Sequence, residues 1–247
     1  MKIGLLGTGN MGKILARKLA AAGHEVKVAN SRGPESIADD VLETGARGVT
    51  TEGALTDVDV AILTLPSTGF EKIRHLVAAL PEETVVIDVS NYVPQRDGEN
   101  TVIEAGQVES EWTRDFFGRP VAKAWNTIGS ESFANKGQPK GYPDRIAIPV
   151  GADRARDREV AIALVEDTGF DGFDAGTLAD SWRQQPASPV YCTDLAYDEM
   201  GPALALAERG RLSNRRNIAL AIITERMGKG KTPSSEWLVK LGRALYM

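Results

Sequence analysis

The residues whose types and spacing can do chemistry lie near the amino terminus. Gly7-Thr8-Gly9-Asn10-Met11-Gly12 sets three glycines at GxGxxG spacing. Gly7 permits a tight turn, Gly9 lets backbone approach a pyrophosphate with no side chain between them, and Gly12 lets a helix pack close to a strand. The free amides and positive dipole end of a helix opening there face the phosphates. Asn30-Ser31-Arg32-Gly33 then stands where an NAD site carries Asp or Glu for the ribose 2′-hydroxyl. This tip has no acid. Ser31 offers a hydroxyl, and Arg32 a fixed cation able to fork two phosphate oxygens. The pair predicts NADP rather than NAD, the alternative being a polar loop with a solvated arginine.

Side chains for acid–base or metal chemistry are scarce. His24 falls in the turn before a second strand, and His75 on a helix expected to cover the outside of a sheet, so both read as surface or packing residues. Tyr92, Tyr191 and Asp194 could donate or orient a proton, but nothing singles one out, and no catalytic residue is assigned. There is no GxSxG, HExxH or spaced metal-ligand set, and Cys192 is the only cysteine, so neither a metal site nor an intrachain disulfide is expected. Hydride transfer between two bound cofactors depends on positioning more than on a side-chain acid, and the scarcity favours that reaction. Two late stretches stay open. Ser181-Trp182-Arg183-Gln184-Gln185-Pro186 suits either a loop closing over a planar ligand or a packed linker. Arg209, Arg211, Arg215 and Arg216 suit a solvated face more than an anion site.

The elements that must position these residues alternate as a doubly wound sheet requires. Ile3 to Leu6 is an apolar strand, Met11 to Ala22 carries helical spacing, Gly23 stops it, and Glu25 to Ala29 is a second strand. A helix is expected from Pro34 to about Glu43 and a short edge strand from Ala46 to Thr50. Buried strands are predicted at Val58–Leu63 and Thr84–Val89, with Ser67 capping the helix between them. A short helix marked by Val108, Trp112 and Phe116 precedes a return to the sheet at Val121–Trp125. Pro149 places Ile146–Val150 near a sheet edge; a helix over 154–168 and a strand over 170–175 follow. Ligands in such sheets bind outside the carboxyl ends of the strands, which points to Leu65 and Pro66 as backbone contacts to cofactor. Strand signals stop near Leu178, and helices are predicted over 195–208 and 217–227, with a last one capped by Thr232 and opened by Pro233. The expected fold is α/β, a mostly parallel sheet at 1–178 with a helical appendage at 179–247 that completes the acceptor site.

The 247 residues carry a net charge of −5, which argues against a nucleic-acid partner. A strand beginning at Met1 leaves no room for a signal peptide, and no run approaches transmembrane length, so a cytoplasmic enzyme with no membrane partner is expected. A homodimer built on 217–227 or 233–245 is a further expectation.

The opening MKIGLLGTGNMGKILARKLAAAGHEVKVANSRGPES resembles the NADP oxidoreductases dependent on coenzyme F-420, a deazaflavin. VAILTLPSTGF, VIDVSNYV, KAWNT and GFDGFDAGTL follow that family's order, so the likeness spans about 1–178; the reductase domain of STEAP ferric reductases is similar over the same span. The resemblance implies a Rossmann-type fold and hydride transfer between NADP(H) and a deazaflavin; the leading reading is an NADPH-linked oxidoreductase whose acceptor is a deazaflavin or a flavin, FMN or FAD. It implies that Thr8, Gly9, Asn10 and Met11 hold the pyrophosphate, Ser31 and Arg32 the 2′-phosphate, and that Leu65, Pro66 and Asn126 flank the nicotinamide. Members often carry Gly where this chain has Asn30. The competing readings are an NADPH-dependent reductase of a small imine or carbonyl, and a non-catalytic NADP-sensing protein.

Overall fold

A computed structural model describes residues 1–228, 231 and 233–247. Eight strands, β1 (Lys2–Leu6), β2 (Glu25–Ala29), β3 (Arg47–Gly48), β4 (Val60–Leu63), β5 (Val85–Asp88), β6 (Ala122–Lys123), β7 (Ala147–Ala152) and β8 (Asp171–Asp174), form one sheet in the order β3-β2-β1-β4-β5-β6-β7-β8. The first six are parallel, in the order of a dinucleotide-binding Rossmann sheet. β7 runs antiparallel to β6, and β8 is parallel to β7. Register follows the apolar pattern: Leu5 pairs with Val28 and Ile62, and Leu6 with Ala29 and Leu63.

Successive strand residues face opposite sides, so a fully buried strand needs apolar residues on both. Ile3, Leu5, Ile62 and Ile87 pack on one side with α1 (Asn10–Ala21) and α9 (Ala155–Asp167), through Leu15, Leu19, Leu164 and Val165. Leu6, Ala61, Leu63 and Val86 face α3 (Thr51–Leu55), α4 (Phe70–Ala78) and α7 (Glu109–Phe117). Short helices α2 (Asp39–Leu42), α5 (Pro94–Asp97), α6 (Thr101–Glu104) and α8 (Ser130–Asn135) sit in the connections. After β8 come a 3₁₀ helix over Leu178–Gln184 and α10 (Tyr197–Ala205), α11 (Leu212–Met227) and α12 (Ser235–Tyr246).

Some details differ from expectation. The helix expected from Pro34 breaks into a 3₁₀ turn, Pro34–Ser36, and the single-turn α2. Ser67 opens a 3₁₀ turn with Pro66 at its cap position, and its side chain does not cap the helix. β7 lies near the sheet edge as expected, one strand in from β8, and Pro149 disrupts nothing, because β6 pairs only with Gly151 and Ala152 and ends before reaching it. Thr232 lies outside the described residues; α12 begins later, where the Ser234 hydroxyl accepts from Trp237 N at 3.4 Å. No described helix is long and apolar enough to cross a membrane.

Candidate functional site: an open cleft at the carboxyl ends of β1, β2 and β4

The chain leaves β1 through Gly7 at φ +109°, a backbone shape that favours glycine, and α1 starts after Gly9. The Thr64 hydroxyl sits 2.9 Å from both Leu6 O and Gly7 O, pinning the turn from the end of β4. The three glycines do different work. A Cβ at Gly12 would lie 2.0 Å from Gly7 O and 2.6 Å from Thr64 Oγ1, so that glycine is demanded by helix-on-strand contact. A Cβ on Gly9 would meet nothing within 4 Å, so its bareness leaves open space on the cleft side. That space is what a pyrophosphate needs to approach the amides at the start of α1.

Asn30 organises the tip of β2. Its Nδ2 donates to Thr8 Oγ1 at 3.3 Å, and its Oδ1 accepts from Arg32 N at 2.8 Å and from Ser36 Oγ at 3.0 Å. The 2′-side loop is thereby tied to the glycine turn, a role the sequence offered only as a departure from Gly. Ser31 and Arg32 are exposed on the cleft rim, and the Arg32 guanidinium makes no hydrogen bond or ion pair with any described residue. The cleft has a volume of about 700 Å³ and runs from Gly7–Gly9 past Ser31 and Arg32 to Leu65 and Pro66. Thr51 and Lys72 also line it; both come from helices, where nothing in the sequence marked them.

Asn10, Met11 and Gly12 form the first turn of α1 and do not line the cleft in this structure. Asn126 lies elsewhere, 4% exposed after β6, with Nδ2 donating to Gln184 O at 2.8 Å and Asn91 Oδ1 at 3.2 Å. It ties the turn after β5 to the segment after β8, and its buried Oδ1 has no partner among the described residues.

None of the acid–base candidates lines the cleft. His24 bridges the Met1 amino group and Asp167, at 3.2 and 3.0 Å. His75 is on the last turn of α4. Tyr92 OH accepts from Asn100 N at 2.9 Å, and burial pushes the Tyr191 phenol well above its usual range. Asp194 accepts from Ser132 Oγ at 2.6 Å and Lys136 at 2.9 Å. Behind the turn after β5, Lys123 donates to Asp88 at 2.8 Å and to Ser90 O, a fully buried pair that fixes where the strand ends. Trp182 is held in the 3₁₀ helix with the Arg183 guanidinium 4.4 Å from its ring, so this segment is packed structure rather than a loose loop. No described group of three His, Cys, Asp or Glu side chains could hold a metal ion.

Comparison with known proteins bears on this geometry. Residues 2–92, which contain the glycine turn, Ser31, Arg32, Leu65 and Pro66, match the family model described as NADP oxidoreductase, coenzyme F420-dependent. The protein YjhV of Escherichia coli K12 is 37% identical over 108 residues, 43% of this chain and 76% of its own length. Among solved structures, a hypothetical protein from Sinorhizobium meliloti superposes with a TM-score of 0.67 at 25% identity, over 79% of this chain and 95% of that one. A protein from Arthrobacter sp. FB24, provisionally named an F420-dependent NADP reductase, superposes with a TM-score of 0.55 at 22% identity, over 73% and 87% of the two chains. More distant solved structures, such as a glycerol-3-phosphate dehydrogenase of Plasmodium falciparum (TM-score 0.59, 10% identity, 99% of this chain and 73% of that one), share the fold. The chain belongs to the coenzyme F420-dependent family of NADP oxidoreductases.

Proposed function

We propose that this protein is an NADPH-dependent oxidoreductase that moves a hydride between NADP(H) and a deazaflavin or flavin acceptor. The observation that carries the reading is the cleft rim: an unpaired Arg32 beside Ser31, no acid at the β2 tip, and open space over Gly9. A 2′-phosphate satisfies that arginine, whereas a bare ribose hydroxyl does not. Gly7, Thr8 and Gly9 would hold the pyrophosphate at the positive end of α1, and Leu65 and Pro66 would lie toward the nicotinamide. Residues 1–178 form the nucleotide-binding unit, and 179–247 the segment that completes the acceptor side.

Bound in this cleft, NADPH would supply a hydride, two electrons and a proton together, to the ring of the acceptor. The protein's part is to hold the two rings in register and exclude water. The engagement of His24, Tyr92 and Asp194 in contacts outside the cleft, and the burial of the Tyr191 phenol, support a transfer without a side-chain acid. The test is an NADPH oxidation screen with deazaflavin, FMN, FAD, ferric chelates and small imines. Turnover with deazaflavin, with deuterium passing from labelled NADPH to the acceptor carbon, is the expected result. Turnover with imines alone would replace this reading by imine reduction, and absence of turnover with every acceptor would favour a nucleotide sensor.

A further inference from the structure

A second cavity lies apart from the cleft and shares no lining residue with it. Its volume is about 220 Å³, room for roughly seven waters at ~30 Å³ each. Three distant stretches build it: the turn after β5 at Tyr92, the run from Ile103 to Glu109, and the late segment at Gln185, Arg209 and Arg216.

Arg216 projects from α11 with its side chain 12% exposed. Its guanidinium makes no hydrogen bond to any described residue; Glu104 is 3.7 Å away and the Tyr92 ring centroid 5.9 Å. A guanidinium carries five donors, and enclosing one without hydrogen-bond partners is costly. Arg209 spends one donor on Gly106 O at 2.5 Å and keeps the rest. Two carboxyls stand opposite. Glu104 offsets one positive charge. Glu109 is 6% exposed, accepts from Tyr92 N at 3.0 Å, and is pushed by burial to about 7, so near neutral pH it carries only part of a charge. The uncommitted donors of Arg216 and Arg209 are therefore the groups that this wall leaves for a ligand.

We propose that this cavity is a binding site for a small oxyanion ligand, a carboxylate or a phosphate, gripped by Arg216 and Arg209. The planar fork of arginine matches both groups, and the volume admits a molecule of a few heavy atoms. The site needs the late helices as well as the sheet, so it exists only where the segment after β8 docks.

Calorimetric titration of the full chain with inorganic phosphate and, separately, with malonate distinguishes the two sources of oxyanion. Saturable binding of one of them with a Kd below about 1 mM is expected. Arg216→Gln should weaken it by about tenfold or more, with NADPH binding unchanged. Glu104→Gln removes the competing carboxylate and should tighten the anion by about fivefold. A pair serving only to latch α11 to α6 would lose stability in both variants and gain affinity in neither. No saturable binding of either anion to the unmodified protein, equal affinity in Arg216→Gln, or no gain in Glu104→Gln would overturn the proposal.

Discussion

The nucleotide cleft and the oxyanion cavity are built in opposite ways. The cleft is made of short consecutive runs at the ends of adjacent parallel strands, and its chemistry is mostly backbone: bare Gly9, the amides opening α1, the turn at Leu65 and Pro66. The cavity is made of side chains from Tyr92, Glu104, Glu109, Arg209 and Arg216, brought together by how α6, α7 and α11 pack. Along its phosphate-facing floor the cleft depends on its glycines rather than on side chains, and Arg32 on the rim is the exception. A side-chain site depends on burial, and burial shifts charges, as it does for Glu109.

The largest expected effect separates the glycines of the cleft. Gly12→Ala forces a Cβ to 2.0 Å from Gly7 O and should cost about 3 kcal/mol or more, read from the denaturant midpoint. Gly9→Ala meets no atom of the protein within 4 Å, so at the start of α1 it should cost about 1 kcal/mol or less. It should nevertheless weaken NADPH by about a hundredfold, because the methyl fills the phosphate space. Equal stability losses in the two variants would erase the distinction.

Glu109 sharpens the other side of the comparison. Its folded-state value of about 7 lies above the ordinary 4.5 because of burial. The folded protein therefore keeps this proton when the unfolded chain has released it, and stability present below pH 4.5 is lost as pH rises toward 7. The loss is at most about 3 kcal/mol. Glu109→Gln keeps an acceptor for Tyr92 N, so it should flatten that slope and raise the unfolding temperature at pH 8. An unchanged slope would show that the carboxyl is ionised in the folded state.

The difference between the two regions also explains what could be read in the sequence. GxGxxG, the missing acid after β2 and the alternating strands were legible because each is local, and they place β1, α1, β2 and the cleft rim. Asn30 was visible only as a substitution; its three hydrogen bonds depend on where Thr8 and Ser36 fall in space. Arg216 reads as one of a solvated run, yet α11 turns it inward against Tyr92 and Glu104. Pro149 signals a strand near the sheet edge, where β7 lies one strand in from β8, and the shortness of β6 leaves the proline without a partner on its other side. α8 gave no periodic signal, being six residues long.

The smallest effect expected is on the chemical step. Tyr92→Phe, Tyr191→Phe, Asp194→Asn and changes at His24 or His75 should each lower kcat by less than about tenfold, since a positioned general acid is worth 10²–10⁴-fold. A hundredfold loss in any one of them, with the fold intact by circular dichroism, would assign that group to the reaction and favour carbonyl or imine reduction.

Arg32 meets the 2′-phosphate of NADP(H), and calorimetry of Arg32→Ala with both nucleotides tests this directly. The charged hydrogen bond lost is worth about 1.5–3 kcal/mol, so NADPH should bind roughly ten- to a hundredfold more weakly while NADH binding barely changes. Equal losses for NADPH and NADH, or no loss for either, would contradict it.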